Sequence, residues 1–276
     1  GKFLAAMGHH DAPAALGLDL LDALFDVLPD DAKLPVVLEY LAGDVQGKVG
    51  RVHNAPDKLK VLLHKLVALF HYHDAVAVKG DATLIECSGE AMLIDAGLYS
   101  EREKVTSYIA GRGVRKLKYC VATHPHSDHI GGMSHVIYSF DVQTLVYPLC
   151  ENDSSGMNYV LDACDERGVS YLNPEPLDTL NVGEATVPVL SPTAYADYDN
   201  LNNNSIVLRL EYKDVSFLFM GDAETEVEYE LLSKNYDLNT DVLKAGHHGS
   251  STSSSAEFLN AATPSAAVIS CGKNND

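Results

Sequence analysis

His124-Pro125-His126-Ser127-Asp128-His129 carries three imidazoles and one carboxylate in six residues, and Gly131-Gly132 follow at once. All four side chains bind metal when deprotonated, and a mixed nitrogen and oxygen donor set suits zinc or a similar divalent ion. The stretch leaves Lys118-Tyr119-Cys120-Val121-Ala122-Thr123, a short apolar run that reads as a buried strand. A ligand cluster on the turn after a strand suits an open catalytic site, where few protein ligands leave a position for water. Four ligands this close rarely serve one ion, so the spacing predicts two. The competing reading is a polar loop that happens to hold histidines. Adding Asp128-His129 to His124 and His126 argues against it.

At 276 residues, the chain can bury one large core, or one core and a small appendage. It has no run of about eighteen apolar residues, so no transmembrane helix is expected. Gly1-Lys2-Phe3-Leu4-Ala5-Ala6-Met7 is too short for the apolar region of a signal peptide. Gly1 in place of an initiator Met reads as a processed start from which native targeting has been removed. Cys87, Cys120, Cys150, Cys164 and Cys271 are dispersed and form no Cys-x-x-Cys pair. That argues against a disulfide framework and a cysteine zinc site. A reducing, cytoplasmic setting is the default.

Charge is uneven. Residues 1–80 hold 8 Lys+Arg against 10 Asp+Glu, and residues 81–276 hold 12 against 29. So acidic a surface repels phosphate backbones and lowers the odds of tight nucleic-acid binding by this chain alone. A nuclease stays open, because bound cations reverse the local field.

Residues 1–70 read as a helical appendage of unassigned role. Leu16, Leu20, Leu21, Leu24, Phe25 and Leu28 make a helix-period stripe that Pro29 ends. Leu34–Leu41 is a second apolar segment. A third helix is expected from Ala55-Pro56-Asp57, with Leu59, Leu62, Leu63, Leu66, Leu69 and Phe70 on its apolar side. From residue 71 the texture changes. Strands are expected at Thr83–Cys87, Ala91–Asp95, Tyr119–Ala122, Thr144–Tyr147, Val187–Leu190, Ser205–Glu211, Val215–Met220 and Ala266–Cys271. Helices are expected at Glu101–Gly111, Met133–Ser139, Tyr159–Arg167, Glu224–Leu232 and Ser254–Ala261. Many strands with interspersed helices imply a layered α/β domain with helices outside packed sheets.

Three further stretches extend the site. Leu93-Ile94-Asp95-Ala96-Gly97 ends a strand on Asp95, which is either a turn residue or an acceptor that orients a metal-binding His. Phe217-Leu218-Phe219-Met220-Gly221-Asp222-Ala223 delivers Asp222 to a strand end, where a helix N-cap is the plainer role. Leu243-Lys244-Ala245-Gly246-His247-His248-Gly249-Ser250 places two adjacent histidines between glycines after an apolar strand. Packing seldom needs such a pair.

Together these residues resemble the metallo-β-lactamase superfamily. They look most like its ComEC-like branch, named for the metallo-hydrolase domain of the bacterial DNA-uptake (competence) channel protein. The matching pieces are Lys79–Ile85, Leu93–Gly97, His124–Gly132, Asn202-Asn203-Asn204-Ser205-Ile206-Val207, Gly221-Asp222-Ala223, Lys244–Ser250 and Ser270–Asn274, in family order. The resemblance implies a four-layer αββα sandwich, of the α/β (α+β) class, over residues 71–276, with two divalent metal ions at one edge. Zinc is favoured over manganese by the imidazoles. By analogy, His124 and His126 bind one metal, joined by a His of the 247–248 pair. Asp128 and His129 bind the other, and Asp222 bridges. Which of the pair is the ligand stays open. The assignment taken is His247 as ligand and His248 as proton donor to the leaving group.

The chain departs from the branch pattern in two places. The usual opening Asp-Val-Gly-Gln-Gly-Asp-Ala reads Val76-Ala77-Val78-Lys79-Gly80-Asp81-Ala82, and the sequence stops at Asp276, before a Gly-His-Pro that supplies another ligand. The domain is therefore expected to be truncated, with its second metal short of one ligand.

The expected activity is metal-dependent hydrolysis of a phosphodiester, either a small molecule or nucleic acid. Asp128 or Asp222 would guide the water proton, and Lys244 with the amides of Gly249 and Ser250 would stabilise a phosphoryl oxygen. Two other readings stand beside it. One is ester, thioester or lactone hydrolysis on the same fold. The other is an inert metal-binding module whose residues 1–70 recognise a partner.

Overall fold

The computed structural model describes residues 80–150, 155–192 and 198–270, and the backbone of residues 67–70. These all fall in one compact unit, Pro35–Asp276. The expected helices before residue 67, the altered opening Val76–Lys79 and the stretch Cys271–Asn274 lie outside the described residues.

Two six-stranded sheets form the frame. The first runs in chain order through β1 (Val67–Phe70), β2 (Ala82–Cys87), β3 (Glu90–Ile94), β4 (Lys116–Val121), β5 (Asp141–Val146) and β6 (Ser170–Leu172). The second holds β7 (Thr179–Val182), β8 (Ala185–Ser191), β9 (Val207–Tyr212), β10 (Val215–Phe219), β11 (Val242–Lys244) and β12 (Ala266–Val268). Each sheet begins antiparallel and ends parallel. The switch comes between β3 and β4 in the first and between β10 and β11 in the second. Parallel pairs need a crossover, and helices supply most of them. These are α1 (Arg102–Gly111), α2 (Ser127–Ile130), α3 (Met133–Ser139) and α4 (Ser155–Arg167) on the first sheet, and α5 (Thr225–Ser233) and α6 (Ala256–Ala262) on the second.

Strand alternation sorts the apolar side chains into three cores. Ile85, Met92, Ile94 and Val121 face Val187, Leu208, Phe217 and Val242 between the sheets. Leu84, Leu93, Cys120 and Leu145 point the other way, onto Val105, Ile109, Val136, Ile137 and Val160 of the helices. Val207, Leu218 and Leu243 pack on Val227, Leu231 and Phe258. The result is the expected four-layer αββα order. Strands buried on both faces are why the sequence reads as unbroken apolar runs rather than as alternation.

The structure corrects one expectation. Leu69 and Phe70 are not helical, because Val67–Phe70 pairs antiparallel with β2, Leu69 opposite Thr83 and Phe70 opposite Ala82. A short apolar run fits helix and strand periods alike, and pairing with the open edge of β2 decides it. The first sheet thus begins before residue 71. The short strands β6 and β7 had no sequence expectation, and α2 adds a single turn of helix inside the histidine loop.

Candidate metal centre

The parallel strands β3, β4 and β11, together with β10, end at one edge of the frame. β2 and β9, antiparallel to their neighbours, begin there. Asp95 follows β3, His124 follows β4, Asp222 follows β10, the 247–248 pair follows β11, and Asp81 precedes β2.

The histidine loop has two local geometries. The chain bends at His124-Pro125, and His126 is extended (φ −70°, ψ 147°) just before α2. His126 Nδ1 is 3.0 Å from His124 Nε2. The chain then enters α2, whose first turn carries Asp128 and His129. Gly131 and Gly132 let this turn press against the loop after β3. A Cβ at Gly132 would sit 2.3 Å from the Ala96 carbonyl oxygen, and one at Gly131 would sit 2.4 Å from the Tyr99 nitrogen.

Asp95 takes the orienting role rather than that of a plain turn residue. Its carboxylate accepts the Thr123 N–H and hydroxyl at 2.8 Å each, and its Oδ2 is 2.8 Å from Nδ1 of His129. It does so from a left-handed backbone, φ +56°. That conformation is uncommon for a residue with a side chain and is tolerated best by Asp and Asn. The far nitrogen of His129 faces Asp222, whose Oδ2 lies 3.2 Å from it, 3.4 Å from His248 Nε2 and 3.7 Å from His124 Nε2. Asp222 is thus the hub of the cluster. It does not cap α5, whose N-cap is Glu224. The Asp222 N–H donates to Ser205 Oγ at 3.0 Å, and Gly221 (φ +56°) leaves room for that serine.

The two histidines after β11 part company. Both have positive φ, +42° and +53°, which throws neighbouring rings into different surroundings. His248 is buried in the cluster, with Nε2 3.4 Å from Asp128 Oδ2 and Nδ1 2.9 Å from the Ser270 carbonyl. His247, half-buried, turns away. Its Nδ1 lies 3.0 Å from both Glu224 Oε1 and Thr252 Oγ1, and its Nε2 3.3 Å from Asn202 Nδ2. Among the described residues, the groups able to hold a metal draw on Asp81, Asp95, His124, Asp128, His129, Asp222 and His248, and on neither His247 nor the expected ligand His126, which meets the cluster only through His124.

Lys244 is also placed differently from expectation. It is buried beneath the cluster, with Nζ 2.7 Å from Asp81 Oδ2 and donating to the Ala245 carbonyl at 2.9 Å. An ammonium held this way stabilises Asp81 rather than a substrate. The amides of Gly249 and Ser250 bond to the carbonyls of Gly246 and His247 inside their own turn, and the next helix starts only at Ala256. They open no helix and are not available to a ligand. Asp81 itself was not among the expected site residues. The signal was there in Lys244, since a lysine at the end of an apolar strand needs a counterion.

Charge in the cluster follows from burial and neighbours. Burial and His129 hold His124 well below the ordinary imidazole value, so it is neutral and ready to ligate. Burial disfavours charge on His129, but Asp222 and Asp95 outweigh it and push its pKa well up. Burial also opposes charge on His248, where Asp81, Asp128 and Asp222 prevail and lift it to about 9. Burial works against the anions, yet His129 and His248 pull Asp222 well below the carboxylate range, and Lys244 and His248 do so for Asp81. His248 and His129 bring Asp128 down against its own burial, while burial pushes Asp95 up against its hydrogen bonds. Four carboxylates thus crowd into one buried volume, with protons on imidazoles among their few counter-charges. Buried charge demands such compensation.

The donor set fits divalent metal. His129 Nε2 and Asp222 Oδ1 are buried without a hydrogen bond, and imidazole nitrogens and carboxylate oxygens converge within 4.8 Å. The Metallo-beta-lactamase superfamily model matches residues 76–273. The chain belongs to this superfamily. Its relatives place it in the ComEC-like branch. It is 35% identical over 178 residues to ComE operon protein 3 of Bacillus subtilis, covering 64% of this chain and 23% of that protein. It is 29% identical over 206 residues to Competence protein ComA of Neisseria gonorrhoeae, covering 72% and 26%. The chain therefore spans about a quarter of the length of these relatives. The solved metallo-beta-lactamase fold protein YhfI from Bacillus subtilis is 14% identical, with 66% of this chain and 69% of that one covered at a TM-score of 0.43. Superfamily members usually hold two divalent metals and are mostly metal-dependent hydrolases. Among the described residues no helix is long and apolar enough to cross a membrane.

Proposed function

We propose that the chain is a binuclear metal-dependent hydrolase of phosphodiesters. The observation that carries this reading is the convergence of three imidazole Nε2 atoms on Asp222 Oδ2, with Asp128 beside them. His124, His126 and Asp222 would hold one ion, and Asp128, His129, His248 and Asp222 the other. His248, rather than His247, is thus the ligand of the pair, and it sits with Asp128 and His129 rather than with His124 and His126. Two divalent cations there supply hydroxide near neutral pH and offset charge on the phosphoryl oxygens. Zinc suits the imidazoles better than manganese.

The chain's own groups do the rest. Asp95 fixes the His129 tautomer, so that Nε2 faces inward. The Asp128 side chain is 23% exposed, against 3% for Asp222 and 6% for Asp81. It is the carboxylate that an entering water can reach, and we assign it the proton of that water. His247 stands at the rim, with Nδ1 backed by Glu224 and Nε2 facing the Asn202 amide. Lys244 holds Asp81 in place beneath them. The names of the competence relatives favour nucleic acid as the phosphodiester. The test is turnover of bis(p-nitrophenyl) phosphate, single-stranded DNA and p-nitrophenyl acetate by metal-loaded protein. Cleavage of either phosphodiester is expected, and hydrolysis of the acetate alone overturns the reading in favour of ester chemistry.

A further inference from the structure

Glu228 lies on α5 and is wholly buried, yet it belongs to none of the groups able to hold a metal. A carboxylate so placed needs donors for its oxygens. It finds them in the chain beyond the histidine pair. Oε1 accepts the Ser254 N–H, and Oε2 accepts the Ser255 N–H at 2.8 Å. Ser255 is the N-cap of α6, and its hydroxyl accepts the Phe258 N–H. In a capping box, a Glu three residues on would reach back to the cap N–H. Here that position is Phe258, and Glu228 supplies the oxygen from another helix. A cap for α6 asks for one oxygen only. The second oxygen goes to Ser254, a left-handed residue (φ +63°).

Ser254 follows a strap. The buried Ser253 hydroxyl lies 2.8 Å from the Gly246 carbonyl oxygen and 3.1 Å from that of Ser250, so one side chain spans the two ends of the turn that carries His248. That turn is strained. His247, His248 and Gly249 take positive φ in succession (+42°, +53°, +72°), and the first two bear side chains. Such backbone persists only where its surroundings over-determine it. The anchors come from α5. The Thr225 N–H donates to the Thr252 carbonyl at 2.9 Å, and Glu228 takes the two N–H groups that follow Ser253. α5 itself starts three residues after Asp222. The turn also lies against the chain that leaves Asp222, since a Cβ at Gly246 would sit 2.4 Å from the Ala223 carbonyl oxygen. The helix is thus a splint between two members of the cluster, Asp222 before its first turn and His248 across the strap. The strap does not pass through the His247 ring, whose partners are Glu224, Thr252 and Asn202.

We propose that Glu228 is a positioning residue of the metal centre. By fixing residues 253–255 it keeps the strained turn in the form that brings His248 Nε2 to 3.4 Å from both Asp128 and Asp222. The proposal rests on His248 as a ligand, and His248→Ala tests that assignment alongside. The probe is zinc, followed in the full chain by chelator competition. Glu228→Gln, Ser253→Ala, their double variant and Leu231→Ala are compared with the parent. Glu228→Gln keeps the size but turns one acceptor into an NH2 donor that faces a backbone N–H. Leu231 is buried on the same helix, and its side chain makes no hydrogen bond, so Leu231→Ala loosens packing without removing a contact of the strap.

Glu228→Gln and Ser253→Ala are each expected to weaken the zinc that His248→Ala loses by roughly tenfold, the lower end of what removing a ligand's support costs. The double variant is expected to match the weaker single rather than the product of both, because the two act through one strap. Leu231→Ala is expected to lower the urea midpoint while zinc affinity stays within about twofold of the parent. In EDTA, and so without metal, the amides of residues 246–255 should exchange faster in Glu228→Gln than in Leu231→Ala. Ser253→Ala keeps the test open should Glu228→Gln not fold. Parent-like zinc affinity in either strap variant, or an equal zinc loss in Leu231→Ala, overturns the proposal and leaves Glu228 as a helix cap. If His248→Ala keeps the parent's zinc, the ligand assignment falls, and the proposal with it.

Discussion

The Asp95 carboxylate lies 2.8 Å from Nδ1 of His129, and the opposite nitrogen of that ring lies 3.2 Å from Asp222. A carboxylate behind an imidazole fixes the tautomer and raises the basicity of the ligating nitrogen. Losing such a partner typically costs about 10–100-fold in metal affinity. Asp95→Asn is expected to weaken the tighter metal by that factor, measured by chelator competition. Affinity equal to the parent's would leave Asp95 as a turn residue only.

His247 and His248 are expected to separate by phenotype. His248→Ala should lower metal content per chain. His247→Ala should keep metal at the parent's level. Elemental analysis checks both. Metal lost from His247→Ala and kept in His248→Ala would restore the ligand role to His247.

Lys244 and Asp81 form a buried pair, 2.7 Å apart. Removing one partner strands the other charge, at a cost of about 3–5 kcal/mol. Lys244→Met should therefore lower the urea unfolding free energy by about that much, and adding Asp81→Asn should recover part of the loss. If Lys244→Met unfolds at the parent's midpoint, the pair is not structural.

The legible part of the site is the part set by local spacing. The 124–129 spacing, with its helical turn at Asp128-His129, marks the donor loop, and strand ends at Asp95 and Asp222 are visible as apolar runs stopping on an acid. The His247/His248 choice was not legible. It depends on two successive left-handed residues, a conformation the sequence does not announce for histidine. The role of Lys244 was misread for a related reason. Position after a strand gives the edge of the sheet but not the depth, and depth decides whether an ammonium meets Asp81 or solvent. The fold was legible in class and in most elements. β1 was not, because Val67–Phe70 becomes a strand only through β2.

In the metal-free protein His248 is lifted from 6.5 to about 9 by Asp81, Asp128 and Asp222, against its burial. A pKa raised on folding stabilises fully below the unfolded value and ceases to do so as pH rises through the folded one. The stability difference between the parent and His248→Gln in EDTA should therefore be largest below about pH 6.5 and shrink towards pH 9. Urea midpoints across that range check it. A difference that grows with pH contradicts the ion pairing.

The central claim is that His248, and not His247, is a ligand of a two-metal centre in this chain. The most direct measurement is metal content per chain, by elemental analysis of protein purified without chelator. The account expects close to two ions per chain, falling when His248 is replaced by Ala. Close to zero in the parent protein would contradict it.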